Sequence, residues 1–407
     1  MSKLTYMEKL LEGVEVEWKP LADIADIYGG LTGKSKADFE SGNAKYISYK
    51  NIFNNIDVDP GQLELVKVSE NERQHKVRYG DILFTGSSEI AVEAGMSSAV
   101  TSDFKEPVYL NSFSFGVRFN DDVKLMPEFS KYLFRSRFMR ADIAKSASGV
   151  TRFNVSKARF KKILVPIPCP DNPEKSLAIQ AEIVRILDAF TAMTAELTAE
   201  LNMRKKQYNY YRDQLLSFEE GDVEWKALGK IAEINTGQKP SEILDTEAEF
   251  DYINAGTTRS GYCALSNCEG NTVTTPSRGQ GGIGFVGYQN KSFWLGPLCY
   301  KIRSIDNKVL INKYLFYILQ SKNQLLLGLK KEGGVPAVNK SDLAKLEVPV
   351  PSVTEQERIV KILDKFDTLT TSIQEGLPRE IELRQKQYEY YRDLLLSFPK
   401  PHSDEAA

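Results

Sequence analysis

The sequence predicts an α+β chain in which two β-rich domains are joined by two long helices forming an antiparallel coiled coil, pseudo-twofold and circular in organisation. Three observations predict it. A long helical stretch occurs twice, the globular segments carry matching landmarks, and each of those segments ends in a Pro-x-Pro run that feeds one of the helices.

The helical stretches occupy residues 178–218 and 355–398. The first opens with Ile183-Val184-Arg185-Ile186-Leu187-Asp188-Ala189-Phe190 and the second with Ile359-Val360-Lys361-Ile362-Leu363-Asp364-Lys365-Phe366. They close on Lys206-Gln207-Tyr208-Asn209-Tyr210-Tyr211-Arg212-Asp213 and Lys386-Gln387-Tyr388-Glu389-Tyr390-Tyr391-Arg392-Asp393. Apolar residues recur, mostly at steps of three and four, through Ile179, Ile183, Ile186, Phe190, Met193, Leu197, Leu201, Tyr208, Tyr211 and Leu215, and again through Ile359, Ile362, Phe366, Leu369, Ile373, Ile381, Tyr388, Tyr391 and Leu395. Such a narrow stripe, sustained over about five heptads, predicts a coiled-coil seam whose partner is the other copy. Forty residues of helix would make a rod about 60 Å long. Gly376-Leu377-Pro378 interrupts the second copy, so a kink or a restart is expected there.

The globular segments are duplicated as well. Val16-Glu17-Trp18-Lys19 returns as Val223-Glu224-Trp225-Lys226, Tyr46-Ile47-Ser48 as Tyr252-Ile253-Asn254, and Lys131-Tyr132-Leu133-Phe134 as Lys313-Tyr314-Leu315-Phe316. Gly80-Asp81-Ile82-Leu83-Phe84-Thr85 has a weaker echo in Gly270-Asn271-Thr272-Val273-Thr274-Thr275. Gly149-Val150 precedes Val165-Pro166-Ile167-Pro168 as Gly334-Val335 precedes Val348-Pro349-Val350-Pro351, each run a proline-stiffened elbow. Alternation in residues 111–118, 293–295 and 298–302 predicts strands. From Trp18 to Lys131 is 113 positions and from Trp225 to Lys313 only 88, so a shared fold carries different loops. Tyr6 and Leu10-Leu11 before Trp18 echo Tyr211 and Leu215-Leu216 before Trp225, which predicts neighbouring termini. The expected boundaries are a helical tail at 1–15, domains at 16–170 and 219–353, helices at 171–218 and 354–400, and a flexible tail at 401–407.

Composition removes several function classes. Four scattered cysteines and two histidines build neither an ordinary Cys/His zinc site nor a disulfide framework, so no metal is expected. No apolar run approaches the ~18 residues of a membrane span, and no signal peptide is evident, so the expected location is cytoplasmic. The net charge of −2 hides segregation: between Lys131 and Lys162 stand ten Lys or Arg and one acid, Asp142. Such a run is either a solvated face or a nucleic-acid face, and its single sign favours the second.

Two nucleotide motifs are nearly matched. Gly279-x-Gly281-x-x-Gly284 lacks the following helix a dinucleotide site needs, and Phe285-Val286-Gly287-Tyr288 reads as turn and strand. Gly29-Gly30-Leu31-Thr32-Gly33-Lys34-Ser35 has its leading glycine one residue too close for a P-loop, and the matching Asn235-Thr236-Gly237-Gln238 has lost the motif. No histidine, nuclease or methyltransferase constellation stands out, so no catalytic residue is assigned.

The duplicated Trp-x-x-Leu domain starts, the Pro-x-Pro runs, the helix openings Gln180-Ala181-Glu182-Ile183 and Gln356-Glu357-Arg358-Ile359, and the Lys-Gln-Tyr-x-Tyr-Tyr-Arg-Asp tails resemble the specificity subunit of type I restriction–modification enzymes, in its IC family most closely. The resemblance covers nearly the whole chain. It implies that each globular unit is a target recognition domain reading one half of a split DNA site. It implies helices that hold the halves apart and dock two methyltransferase subunits, which methylate adenine, with motor–nuclease subunits joining to complete a restriction enzyme. No cofactor belongs to this chain on that reading; S-adenosylmethionine, ATP and Mg belong to the partners. It carries no base contact onto an individual residue.

Polar residues suited to phosphates or base edges gather in the expected loops. In the first domain these are Lys34, Lys36, Ser48, Tyr49, Lys50, Asn51, Ser87, Ser88, Thr151, Arg152 and Asn154. The second offers Asn254, Thr257, Thr258, Arg259, Tyr262, Arg278, Gln280 and Asn339. For each the bland alternative is a turn residue or a solvated charge. Thr194-Ala195-Glu196-Leu197 repeats at once as Thr198-Ala199-Glu200-Leu201, and the number of copies is expected to set the distance between half-sites. A stand-alone DNA-binding protein and a coiled-coil protein scaffold remain the competing readings.

Overall fold

The computed structural model describes residues 10, 14–219, 221–279, 281–331, 335–372 and 374–399. The chain divides into two compact units, one combining residues 1–196 with 382–407 and the other spanning 197–381. No helix among the described residues is long and apolar enough to cross a membrane.

Each unit is built on the same frame. In unit 1 a four-stranded antiparallel sheet runs in the order Ala25–Gly29, Ser114–Phe119, Ile82–Thr85, Ser97–Ala99. Unit 2 repeats it as Ala232–Thr236, Cys299–Ser304, Thr272–Pro276, Gly287–Gln289. The weak echo between residues 80–85 and 270–275 therefore marks strands in equivalent places. Tyr46-Ile47 and Tyr252-Ile253 also correspond, each on a strand paired in parallel, with Tyr109-Leu110 and Trp294-Leu295 respectively. Gly30 and Gly237 directly follow the equivalent first strands, where an added Cβ would fall 1.9 Å from the Asn111 carbonyl oxygen and 1.8 Å from that of Leu295. Only glycine permits that approach.

The core of unit 1 is an aromatic cluster. Phe84 stacks on Phe115 at 5.4 Å and meets Phe134 and Phe160 edge-on at 5.3 and 4.9 Å. Unit 2 buries Tyr314, Leu315, Tyr317 and Ile318 of the matching helix, Asn312–Ser321.

The Pro-x-Pro runs are strands and not simple elbows. Leu164–Pro168 pairs antiparallel with Val16–Pro20, and Glu347–Val350 with Glu224–Ala227, setting Trp18 opposite Pro166 and Trp225 opposite Pro349. Both ladders have two strands only. Prolines two residues apart turn their missing N–H groups to the same open edge, where no ladder bond is lost. Trp18 Nε1 also donates to the Pro399 carbonyl at 2.8 Å, tying residues 381 positions apart within unit 1.

The first long helix is continuous from Pro173 to Leu215. The second is two helices, Val353–Thr371 and Leu377–Leu395. Gly376, at φ +88°, turns the chain between them, and Pro378 falls in the first turn of the new helix, where a missing N–H costs nothing. The openings of the long helices are domain core before they are seam. Ile183 and Leu187 are buried in unit 1, and Ile359 and Leu363 in unit 2. Seam contacts follow: Phe190 stacks on Tyr391 at 5.3 Å in unit 1, and Tyr211 on Phe366 at 5.7 Å in unit 2. Tyr208 packs against Phe366, Tyr388 against Tyr132, and Leu197, Leu201 and Ile381 are half-buried. Ile373 lies outside the described residues.

One glutamine fixes each helix opening. Gln180, wholly buried, accepts from Met126 N and donates to Lys124 O, both at 2.8 Å. Gln356, equally buried, accepts from Ile311 N at 2.9 Å and donates to Val309 O at 2.8 Å. Replacing Gln356 by Leu strands these backbone groups without water. It is expected to cost about 2–4 kcal/mol, read from denaturant unfolding, because each orphaned group costs ~1–3 kcal/mol. A change under ~0.5 kcal/mol would contradict the clamp.

Candidate nucleic-acid interface

A small ladder lies at the same point of both units. In unit 1 Phe153–Val155 is flanked by Ala147–Ser148 and Ser87–Ser88, so that Asn154 faces Ser148 on one side and Ser87 on the other. In unit 2 Ala337 is bridged to Lys331 and to Arg278. The anchoring bonds agree. Val155 N donates to Gly86 O and Val338 N to Ser277 O, both at 2.9 Å, while Gly86 N donates to Phe113 O and Ser277 N to Leu298 O, both at 2.8 Å. Asn154 therefore corresponds to Ala337, Ser87 to Arg278, and Arg152 to Val335. The Gly149-Val150 and Gly334-Val335 matches drawn from sequence are out of step by two residues, because the ladder sets the true register.

In unit 1 this ladder brings several expected residues together. Tyr49, Ser87, Ser88 and Arg152 line a cavity of about 440 Å³ with Phe53, Glu89, Ile90, Glu93 and Phe113. Arg152 Nε donates to Ser87 Oγ at 2.9 Å, and the Tyr49 hydroxyl to Ser87 O at 2.9 Å. Ser88 Oγ accepts from Ile90 N at 3.2 Å. Thr151, Asn154, Lys50 and Lys36 are exposed, and Ser48 caps the helix Tyr49–Asn54. Sequence reasoning missed Phe113, 68% exposed, and the carboxylates Glu89 and Glu93. Phe113 sits in a Ser-Phe-Ser-Phe alternation that reads as a buried strand, so nothing local marked it.

Two expected residues have other duties. Asn51 is wholly buried: its Nδ2 donates to Asp59 O at 2.9 Å and its Oδ1 accepts from Asp59 N at 3.0 Å. The Lys34 side chain is 4% exposed and pairs with Glu72 at 2.5 Å. That hydrogen bond, with those from Gln74 and Ser69 N, holds the Glu72 carboxyl at about 2, below its usual 4.5. A depressed carboxylate stabilises the fold above its unfolded pKa, and the contribution is lost as pH falls through the folded one. Unit 1 should thus lose stability between pH 4.5 and 2, and Lys34→Met should flatten that loss in an acid unfolding series.

In unit 2, Thr257, Thr258 and Arg259 line a cavity of about 250 Å³ with Asp251, Thr274 and Gln289. Arg259 pairs with Asp251 at 3.0 Å and lies over the Tyr262 ring at 4.3 Å. Asn254 Oδ1 accepts from Leu298 N at 3.0 Å, a structural bond. Asn339, exposed, precedes the helix Lys340–Ala344 at its N-cap position without a side-chain capping bond. Arg278 is exposed with no side-chain partner among the described residues. Gln280 lies outside the described residues. Gly279 and Gly284 take φ of +121° and +91°, and a strand, not a helix, follows.

The basic run from Lys131 to Lys162 is not one solvent face. Arg135 donates to the carbonyls of Ser97, Ile52, Phe53 and Asn55. Arg140 donates to those of Val92, Ala94 and Gly95. Burial lowers both guanidinium pKa values to about 10, which still leaves them charged at neutral pH. Lys131 Nζ is 3.1 Å from both Asp57 and Asp188. Arg137, Arg152, Lys157, Arg159, Lys161 and Lys162 remain exposed.

The family profile described as type I restriction modification DNA specificity domain matches residues 13–204 and 220–383. The EcoR124I/EcoR124II specificity subunit of Escherichia coli is 38% identical, covering 99% of both chains. The EcoprrI specificity subunit of the same species is 35% identical over 92% of this chain and 93% of its own. The solved S subunit from M. genitalium shares the fold at TM-score 0.55 and 17% identity, with 98% of each chain covered. A chain from a structure on complex assembly and conformational transition of the type I R-M system does so at TM-score 0.64 and 16% identity, covering 94% of this chain and 97% of that one. With both repeats matched and full-length relatives of this similarity, the chain belongs to the family of type I restriction–modification specificity subunits.

Proposed function

We propose that this chain is the sequence-reading, non-catalytic subunit of a cytoplasmic type I restriction–modification complex. Each unit reads one half of a bipartite double-stranded DNA site, and the long helices set the unread spacer. They also dock two methyltransferase subunits that use S-adenosylmethionine on adenine. Motor–nuclease subunits bring ATP and Mg. One observation carries this reading: a frame held by equivalent bonds in both units, such as those of Gln180 and Gln356, supports ladder surfaces of different chemistry. Shared scaffolds with divergent surfaces suit two different sequences read by one mechanism.

The test is DNA affinity of the chain with and without the methyltransferase subunits across a salt series. Tight specific binding is expected only with those subunits present, falling steeply with salt. Tight specific binding by the chain alone would favour a stand-alone DNA binder, and salt-insensitive or absent DNA binding a protein scaffold.

A further inference from the structure

The equivalent ladder positions differ in a compensating way. Unit 1 has Ser87 and Arg152 where unit 2 has Arg278 and Val335, so each copy carries one arginine at this ladder: in unit 1 just before the strand that pairs with Ser87, in unit 2 at the position matching Ser87 itself. In unit 1 the guanidinium arrives from the hairpin and rests on Ser87 through Nε at 2.9 Å. Its terminal nitrogens have no partner among the described residues. In unit 2 the arginine stands at the serine's own position, also exposed and unpartnered among the described residues.

A solvated arginine is unremarkable alone. Two exposed arginines brought to the same ladder of a repeated frame, by different segments and amid otherwise divergent loops, call for a shared cause. A guanidinium fixed through Nε presents its two remaining nitrogens as a planar fork, which matches O6 and N7 of guanine in the major groove.

We propose that Arg152 and Arg278 are corresponding specificity-determining residues, each reading one guanine in its own half-site, with Ser87 a positioning residue for Arg152. This rests on the reading of each unit as a recognition domain. Neither side chain is needed for folding, since neither is buried.

The test is genome-wide mapping of methylated adenine in cells expressing the methyltransferase subunit with the unaltered chain, with Arg152→Ala or with Arg278→Ala. The unaltered motif should contain guanine in both halves. Arg152→Ala should relax one guanine in one half by about 10- to 100-fold in discrimination, and Arg278→Ala one guanine in the other, the spacer unchanged. Ser87→Ala should relax the same position as Arg152→Ala, more weakly. Arg152→Lys and Arg278→Lys keep the charge but lose the fork, and should relax the same positions. A uniform fall in methylation with an unchanged motif would make these phosphate contacts and overturn the assignment. So would an unaltered pattern, or relaxation of one half by both variants. No chain-dependent methylation with the unaltered chain would instead overturn the DNA reading on which the assignment stands.

Discussion

Deleting Thr198-Ala199-Glu200-Leu201 is expected to move methylation from the original site to one whose half-sites are unchanged and whose unread spacer is one or two base pairs shorter. The unit lies within the continuous helix Pro173–Leu215, where Leu197 and Leu201 are half-buried and Arg204 pairs with Glu200 at 2.6 Å. Removing four residues shortens a helix by about 6 Å and turns it by about 40°, which leaves the apolar stripe on nearly the same face. The DNA equivalent is close to two steps of 3.4 Å. Because the preceding Thr194-Ala195-Glu196-Leu197 slides into the deleted place, side-chain chemistry along the seam is retained. Methylation mapping reads the outcome, and altered half-site sequences would contradict the role of the helix as a spacer.

The largest stability effect of a single substitution is expected at Arg135. Its guanidinium gathers carbonyls from the end of the helix Tyr49–Asn54 and from the strand Ser97–Ala99. Among the described residues no carboxylate neutralises it, so the carbonyl dipoles hold the charge. Arg135→Ala removes four hydrogen bonds and should destabilise unit 1 by about 3–5 kcal/mol, as bonds to a charged group contribute ~1.5–3 kcal/mol each. Arg137→Ala, two residues away and exposed, should change stability by less than ~0.5 kcal/mol. Equal effects in chemical unfolding would show that the run acts as a surface field and not through this clamp.

These two arginines show why part of the molecule was legible in sequence and part was not. Duplication exposed whatever sits at matching positions on continuous elements: the helix openings with Gln180 and Gln356, the Lys-Tyr-Leu-Phe helices, and the break at Gly376 and Pro378. Periodicity reported that Ile183 and Ile359 face something apolar, but not that domain core shares those clusters with residues of the other helix. One-sign charge marked residues 131–162 but concealed that the partners of Arg135 and Arg140 are carbonyls from residues 52–55, 97 and 92–95. Pairing over long separations was equally hidden, as with Trp18 opposite Pro166. Within the interface, Tyr49, Ser87, Ser88 and Arg152 share one cavity, whereas Asn51 turns inward. Polar composition identifies a loop, but only the ladder shows which side chains it presents.

On the proposed function, this chain directs methylation to a split DNA sequence. Mapping methylated adenines in cells that express it with its methyltransferase subunit, against cells lacking only this chain, tests that most directly. A new bipartite motif, methylated on opposite strands in its two halves and dependent on this chain, is expected. Identical maps with and without the chain, with both proteins expressed and associated, would contradict it.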